Sequence, residues 1–239
     1  DYKGEFMLGN RQYCYPLTIT DYRSRYLLAC EGMAATRCDF AFAVFERVFK
    51  EFGLPSAIRT DNGAPFASGN ALFGLSRLSV WWLRLGIAIE RIKPANPQQN
   101  GRHERMHLTL LQDAASPPAS NMREQLKRLR RFQREYNEER PHQALDDATP
   151  ADRYQLSPRR FDGILRTPEY IDRKVRMVRG NGTIKLEGKL VFISQALVGE
   201  PVGLLEHEDG WAVRYGPIEL GKIVRGERLQ RPRRTRCGP

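Results

Sequence analysis

Residues 103–107 read His-Glu-Arg-Met-His. This H-E-x-x-H spacing sets two imidazoles one helical turn apart with a carboxylate between them, as in zinc hydrolases. That chemistry needs a third zinc ligand, and no recognisable extension follows His107. It also leaves the TDNG and PQQNG stretches and a net charge of +11 without a role. A second combination uses three acids: Asp1 on an opening strand, Asp61 at the turn ending another strand, and Glu104 in the first turn of a helix. Converging carboxylates repel one another unless divalent cations balance them. Hard oxygen donors favour Mg²⁺ or Mn²⁺ over zinc. Two such ions ~3.5–4 Å apart activate a nucleophile and stabilise the leaving oxygen of a phosphodiester.

The elements that must position these acids are legible in the residue pattern. YCYPLTITD and RYLLACE, separated by the turn-like DYRSR, predict an antiparallel pair, and DYKGEF completes a three-stranded meander. Asp21, ahead of YRSR, reads as a turn cap. A helix is predicted to open at Thr36 with Asp39 as its capping-box partner. Ala41, Val44, Phe45, Val48 and Phe52 form its buried face, and Gly53 and Pro55 stop it. SAIRTDNG is a strand running into a tight turn. An apolar helix around LSVWWLRLG, the strand IAIERIKP and a helix from Gly101 to about Ala115 follow. The order predicts an α/β domain with a mixed sheet, in which a parallel neighbour of the first strand brings Asp61 beside Asp1. Asn121 with Glu124 caps a long Arg-rich helix, whose plain reading is a solvated face with i,i+4 ion pairs.

After the polar, proline-punctuated stretch DDATPADRYQLSPRRFDG the periodicity changes to short alternating strands. Five such strands in about sixty residues predict a small closed barrel. The expected division is a catalytic domain over 1–155, a linker over 156–169, an SH3-like barrel over 170–229 and a basic disordered tail over 230–239. The four cysteines lack C-x-x-C spacing and read as reduced thiols. No apolar run approaches the ~18–20 residues of a membrane-spanning helix. The excess of Lys and Arg over acids, 39 against 28, favours a polyanionic partner, because each cation on a phosphate releases counterions.

Taken together in order, DYKGEF, IRTDNGAPF, KPANPQQNGRHERMH, YNEERPHQAL and TPADRY resemble the catalytic core of a DDE transposase of the retroviral-integrase superfamily, nearest to the IS481-like bacterial insertion sequences. The resemblance implies an RNase H-like fold and a metal triad of Asp1, Asp61 and Glu104 holding two Mg²⁺ or Mn²⁺ ions. It implies nicking at the ends of a DNA element, then attack of the freed 3′-hydroxyl on target DNA. The implied partners are double-stranded DNA ends and target, with the protein assembled as a homo-oligomer in the bacterial cytoplasm at the nucleoid. Residues expected at DNA are Asn62, Gln98, Gln99, Asn100, Arg102, His103 and Arg105. Arg225, Arg228, Arg231, Arg233, Arg234 and Arg236 join them at the C-terminal end. Two departures stand out: 42 residues separate Asp61 from Glu104, longer than is usual in the family, and the helix-turn-helix that the resemblance leads one to expect upstream does not fall within these residues. A DNA-binding remnant without activity is the chief rival reading, and the H-E-x-x-H zinc protease is the remote one.

Overall fold

A computed structural model of the chain describes residues 1–61, 63–67, 74–91, 101–171, 173–224 and 229–230. In chain order the elements are β1 (Phe6–Met7), β2 (Tyr13–Thr20), β3 (Leu27–Met33), α1 (Cys38–Phe52), β4 (Ala57–Thr60), α2 (Arg77–Arg84), β5 (Ala88–Arg91), α3 (Gly101–Leu110), α4 (Met122–Glu138) and α5 (Pro150–Arg153). Seven strands follow among the described residues: β6 (Lys174–Met177), β7 (Thr183–Leu186), β8 (Lys189–Phe192), β9 (Pro201–His207), β10 (Gly210–Tyr215), β11 (Ile218–Val224) and β12 (Leu229–Gln230). Two compact units result, Asp1–Asp61 with Glu90–Asp162, and Asn62–Ile89 with Gly163–Pro239.

The first unit opens with the expected antiparallel meander, in the order β1-β2-β3. Pairing extends to the first residue: the Asp1 amino group donates to Thr18 O at 2.8 Å, and Thr18 N donates to Asp1 O at 2.9 Å. The expected single mixed sheet is not formed among the described residues, because β4 pairs with β5 in a separate two-stranded sheet. Side chains reinforce that pairing through the Arg59–Glu90 ion pair at 2.7 Å and an Arg91 to Thr60 hydrogen bond at 3.2 Å.

Helix α1 buries Ala41, Val44, Phe45, Val48 and Phe49, one turn short of the Phe52 expected from the sequence. Its start also differs from the predicted capping box. The N-cap is Arg37, without a side-chain cap, and Asp39 is taken by the Arg37 guanidinium at 2.8 Å. Gly53 ends the helix with φ 81°, and a Cβ there would lie 2.7 Å from Arg159 O. Helix α4 starts as predicted, Asn121 accepting from Glu124 N. Its inner face, Leu129, Phe132 and Tyr136, packs with Met106 and Leu110 of α3 and with Leu27 and Cys30 of β3. A bulge shifts the β2–β3 register between Ile19 and Thr20. Buried Asn137 serves the Leu27 backbone there, accepting from its N–H at 2.8 Å and donating to its carbonyl at 3.0 Å.

The second unit corrects one expectation. The closed SH3-like barrel is, among the described residues, an antiparallel sheet in the order β12-β11-β10-β9-β6 with a separate β7–β8 ribbon. The ribbon turns through Glu187 (φ 47°) and Gly188 (φ 79°), the left-handed pair of a two-residue hairpin. It packs Ile184, Leu186 and Val191 against Val202, Leu204 and Val213 rather than sharing a ladder with the sheet edges. Leu75, Val80 and Leu83 bury their apolar face in the core of this sheet, so the α2 segment belongs to the second unit. Glu200 fastens it, accepting from Arg84 at 3.0 Å and from the Tyr215 hydroxyl at 2.9 Å.

Candidate active site

Antiparallel partners place their side chains on one face of a sheet, so Asp1 shares a face with Thr18 opposite it and with Thr20 two residues on. Helix α3 lies on that face. The i,i+4 spacing of His103 and His107 turns both imidazoles the same way, edge to face with centroids 4.4 Å apart. Buried Thr18 receives them: its hydroxyl oxygen lies 2.8 Å from His103 Nε2, 2.7 Å from His107 Nε2 and 3.1 Å from Asp1 O. His103 Nδ1 meets Thr20 Oγ1 at 3.2 Å. One hydroxyl proton cannot serve three acceptors, so at least one imidazole donates its Nε2–H to Thr18.

The electrostatics follow from burial. It holds His107 down to about 3, helped by the charge of the Asp1 amino group, and keeps His103 well below the usual histidine range. Both rings are therefore neutral near neutral pH. The amino group itself falls to about 5, burial outweighing the attraction of nearby Asp61. The Asp61 charge also acts on Arg91, whose guanidinium is lowered by burial and raised by Asp61.

Among the described residues, Asp1, His103 and His107 bring one ligand atom each within 4.8 Å of one another. The third group beside the histidine pair is thus Asp1, far upstream, where the zinc reading looked downstream. Asp61 is within electrostatic reach of Asp1, while Glu104, between the two histidines in sequence, is exposed and outside that group. Both Nε2 atoms are engaged by Thr18, and the carboxylate oxygen in the group is a ligand type that suits Mg²⁺ or Mn²⁺.

Arg102 and Arg105 are exposed on α3. Asn62, Gln98, Gln99, Asn100, Arg225, Arg228 and the tail arginines Arg231, Arg233, Arg234 and Arg236 lie outside the described residues. Asp21 caps its turn as predicted, accepting from Ser24 N at 2.7 Å and Ser24 Oγ at 2.6 Å. Thr18 and Thr20 escaped the sequence reading. Their i,i+2 spacing on a strand opposite Asp1 was the available signal. No described helix is long and apolar enough to cross a membrane.

The family described as Integrase core domain matches residues 85–150 of the chain. Similar solved structures include the HTLV-2 integrase catalytic core domain in complex with magnesium. That likeness is 14% identical, covers 65% of this chain and 93% of that one, and has a TM-score of 0.45. The catalytic core domain of BIV integrase is 17% identical over 63% of this chain and 90% of its own, at a TM-score of 0.47. A chain of the simian T-cell lymphotropic virus intasome in complex with PP2A regulatory subunit B56 gamma covers 98% of this chain and 78% of its own length, at 15% identity and a TM-score of 0.52. That last likeness establishes a shared fold over nearly the whole chain, and the integrase-core match falls on the segment that carries β5, α3 and α4.

Proposed function

We propose that the chain is the catalytic part of a DNA transposase of the DDE type, nearest to the IS481-like insertion sequences, with an RNase H-like first unit. The observation that carries this reading is the integrase-core match over 85–150, which includes Glu104 on a helix seated against the strand partner of Asp1. Asp1, Asp61 and Glu104 would hold two Mg²⁺ or Mn²⁺ ions. When bound, these ions supply charge to the attacking oxygen of water or a 3′-hydroxyl and to the leaving oxygen of the phosphodiester. The chain's own part is positional. The Thr18–His103–His107 network keeps the first turn of α3, and with it Glu104, beside the strand bearing Asp1. Neutral imidazoles there add no cation to compete with the metal. Arg102, Arg105, Asn62, Gln98, Gln99, Asn100 and the C-terminal arginines contact DNA, and the protein works as a multimer on paired ends.

The test is cleavage and strand transfer with labelled duplex ends, supercoiled plasmid target and MnCl₂ or MgCl₂. Asp61→Asn and Glu104→Gln should each abolish both products while leaving duplex binding intact. Products undiminished in either variant refute the assignment. A DNA-binding protein without activity is the second reading, favoured by the exposure of Glu104 outside the 4.8 Å group. Duplex binding without cleavage by the unsubstituted chain would establish it. Stoichiometric zinc lost on His103→Gln or His107→Gln would point instead to a hydrolase using the histidine pair.

A further inference from the structure

Tyr22 follows the Asp21 turn cap and exposes 62% of its surface. Two guanidiniums converge on its ring. Arg59 Cζ lies 4.9 Å from the centroid and Arg102 Cζ 4.7 Å, and Arg102 also donates to Tyr22 O at 3.2 Å. All three residues belong to the first unit. Arg59 sits on β4 two residues before Asp61, and Arg102 on α3 two residues before Glu104. The strand that leads into Asp61 and the helix that carries Glu104 therefore meet at this ring.

The charge balance at the ring favours an anion. One carboxylate, Glu90, answers Arg59 through Oε2 at 2.7 and 2.9 Å, while Arg102 has the Tyr22 carbonyl. Two like charges held on one exposed aromatic side chain repel each other, and a phosphodiester between them would reverse that cost. An exposed aromatic ring beside guanidiniums is also the combination that holds an unpaired nucleic-acid strand, bases stacking while cations follow the backbone.

We infer that Tyr22, Arg59 and Arg102 form a clamp for one unpaired DNA strand entering the carboxylate site. Tyr22 stacks on a base that takes the place of one guanidinium over its ring, and the two arginines turn to the adjoining phosphates. The inference rests on the DNA-processing reading above and adds to it the residues that would select a frayed or single-stranded end over intact duplex.

The test compares binding of a labelled duplex carrying an unpaired 3′ overhang with the same duplex blunt, in EDTA so that nothing is cut, at several salt concentrations. The unsubstituted chain should favour the overhang. Tyr22→Leu, which keeps an apolar side chain, should weaken overhang binding about tenfold, the scale of one lost base–aromatic stack, and leave blunt-duplex binding unchanged. Tyr22→Phe should behave as the unsubstituted chain. Arg102→Gln should flatten the dependence of log affinity on log salt by about 0.7 on the overhang. A Tyr22→Leu variant that binds both probes like the unsubstituted chain, or loses both equally, overturns the clamp and leaves the DNA reading in place. An unsubstituted chain that binds neither probe overturns both.

Discussion

Replacing Thr18 by Val tests whether the hydroxyl at the centre of the candidate site holds α3 to β2. The side chain is fully buried, and Val keeps its shape while removing the oxygen. His107 Nε2 then loses its 2.7 Å partner. His103 Nε2 loses its contact too, but its ring keeps Thr20 through Nδ1. The Asp1 carbonyl keeps Thr18 N. One buried nitrogen left without a partner costs about 1–3 kcal/mol, so with the partial loss at His103 the total is about 2–4 kcal/mol. Thr18→Ser keeps the hydroxyl and loses one methyl, about 1 kcal/mol. The order of damage is therefore Val worse than Ser, the reverse of what packing alone gives. Trp81, Trp82 and Trp211 all belong to the second unit, so tryptophan fluorescence would miss the change. Hydrogen exchange of the β2 and α3 amides in EDTA reads it directly. Exchange in Thr18→Val no faster than in Thr18→Ser would refute the network.

The buried histidines make stability fall in acid. An unfolded histidine titrates near ~6.5, whereas His107 is held to about 3 and His103 also lies well below its usual range. The unfolded chain thus binds more protons as pH drops. The contribution is complete above ~6.5 and is lost on the way down to about 3. Protection of α3 in EDTA should fall between about pH 7 and about pH 5, less steeply in His107→Asn, and protection that rises with acid would refute the burial. In the second unit, Glu200→Ala strands Arg84 and the Tyr215 hydroxyl around a carboxylate only 12% exposed. It should cost about 3 kcal/mol, read by tryptophan fluorescence in urea, and a loss under about 0.5 kcal/mol would show that the triad does not fasten α2.

The residues by themselves determined what depends on near neighbours along the chain. The element order from β1 to α4, the Asp21 turn cap, the Asn121 cap of α4 and the Gly53 stop of α1 all rest on spacing of four residues or fewer. So does the shared direction of His103 and His107, because i and i+4 lie on one helix face. What that face meets was decided by tertiary structure. Thr18 stands 85 and 89 positions away from the two histidines, and only the pairing of the opening segment with β2 puts Asp1 beside them. The same limit explains the misses. Arg37 outcompeted Thr36 for Asp39, a contest between near-equal local partners. Alternating strands fix which side chains turn inward but not which edges join, so the β7–β8 ribbon left the expected barrel open among the described residues. The α2 segment reads as one more helix of an α/β order. Its apolar face is satisfied by the second sheet instead, because burial rewards any complementary apolar surface regardless of distance along the chain.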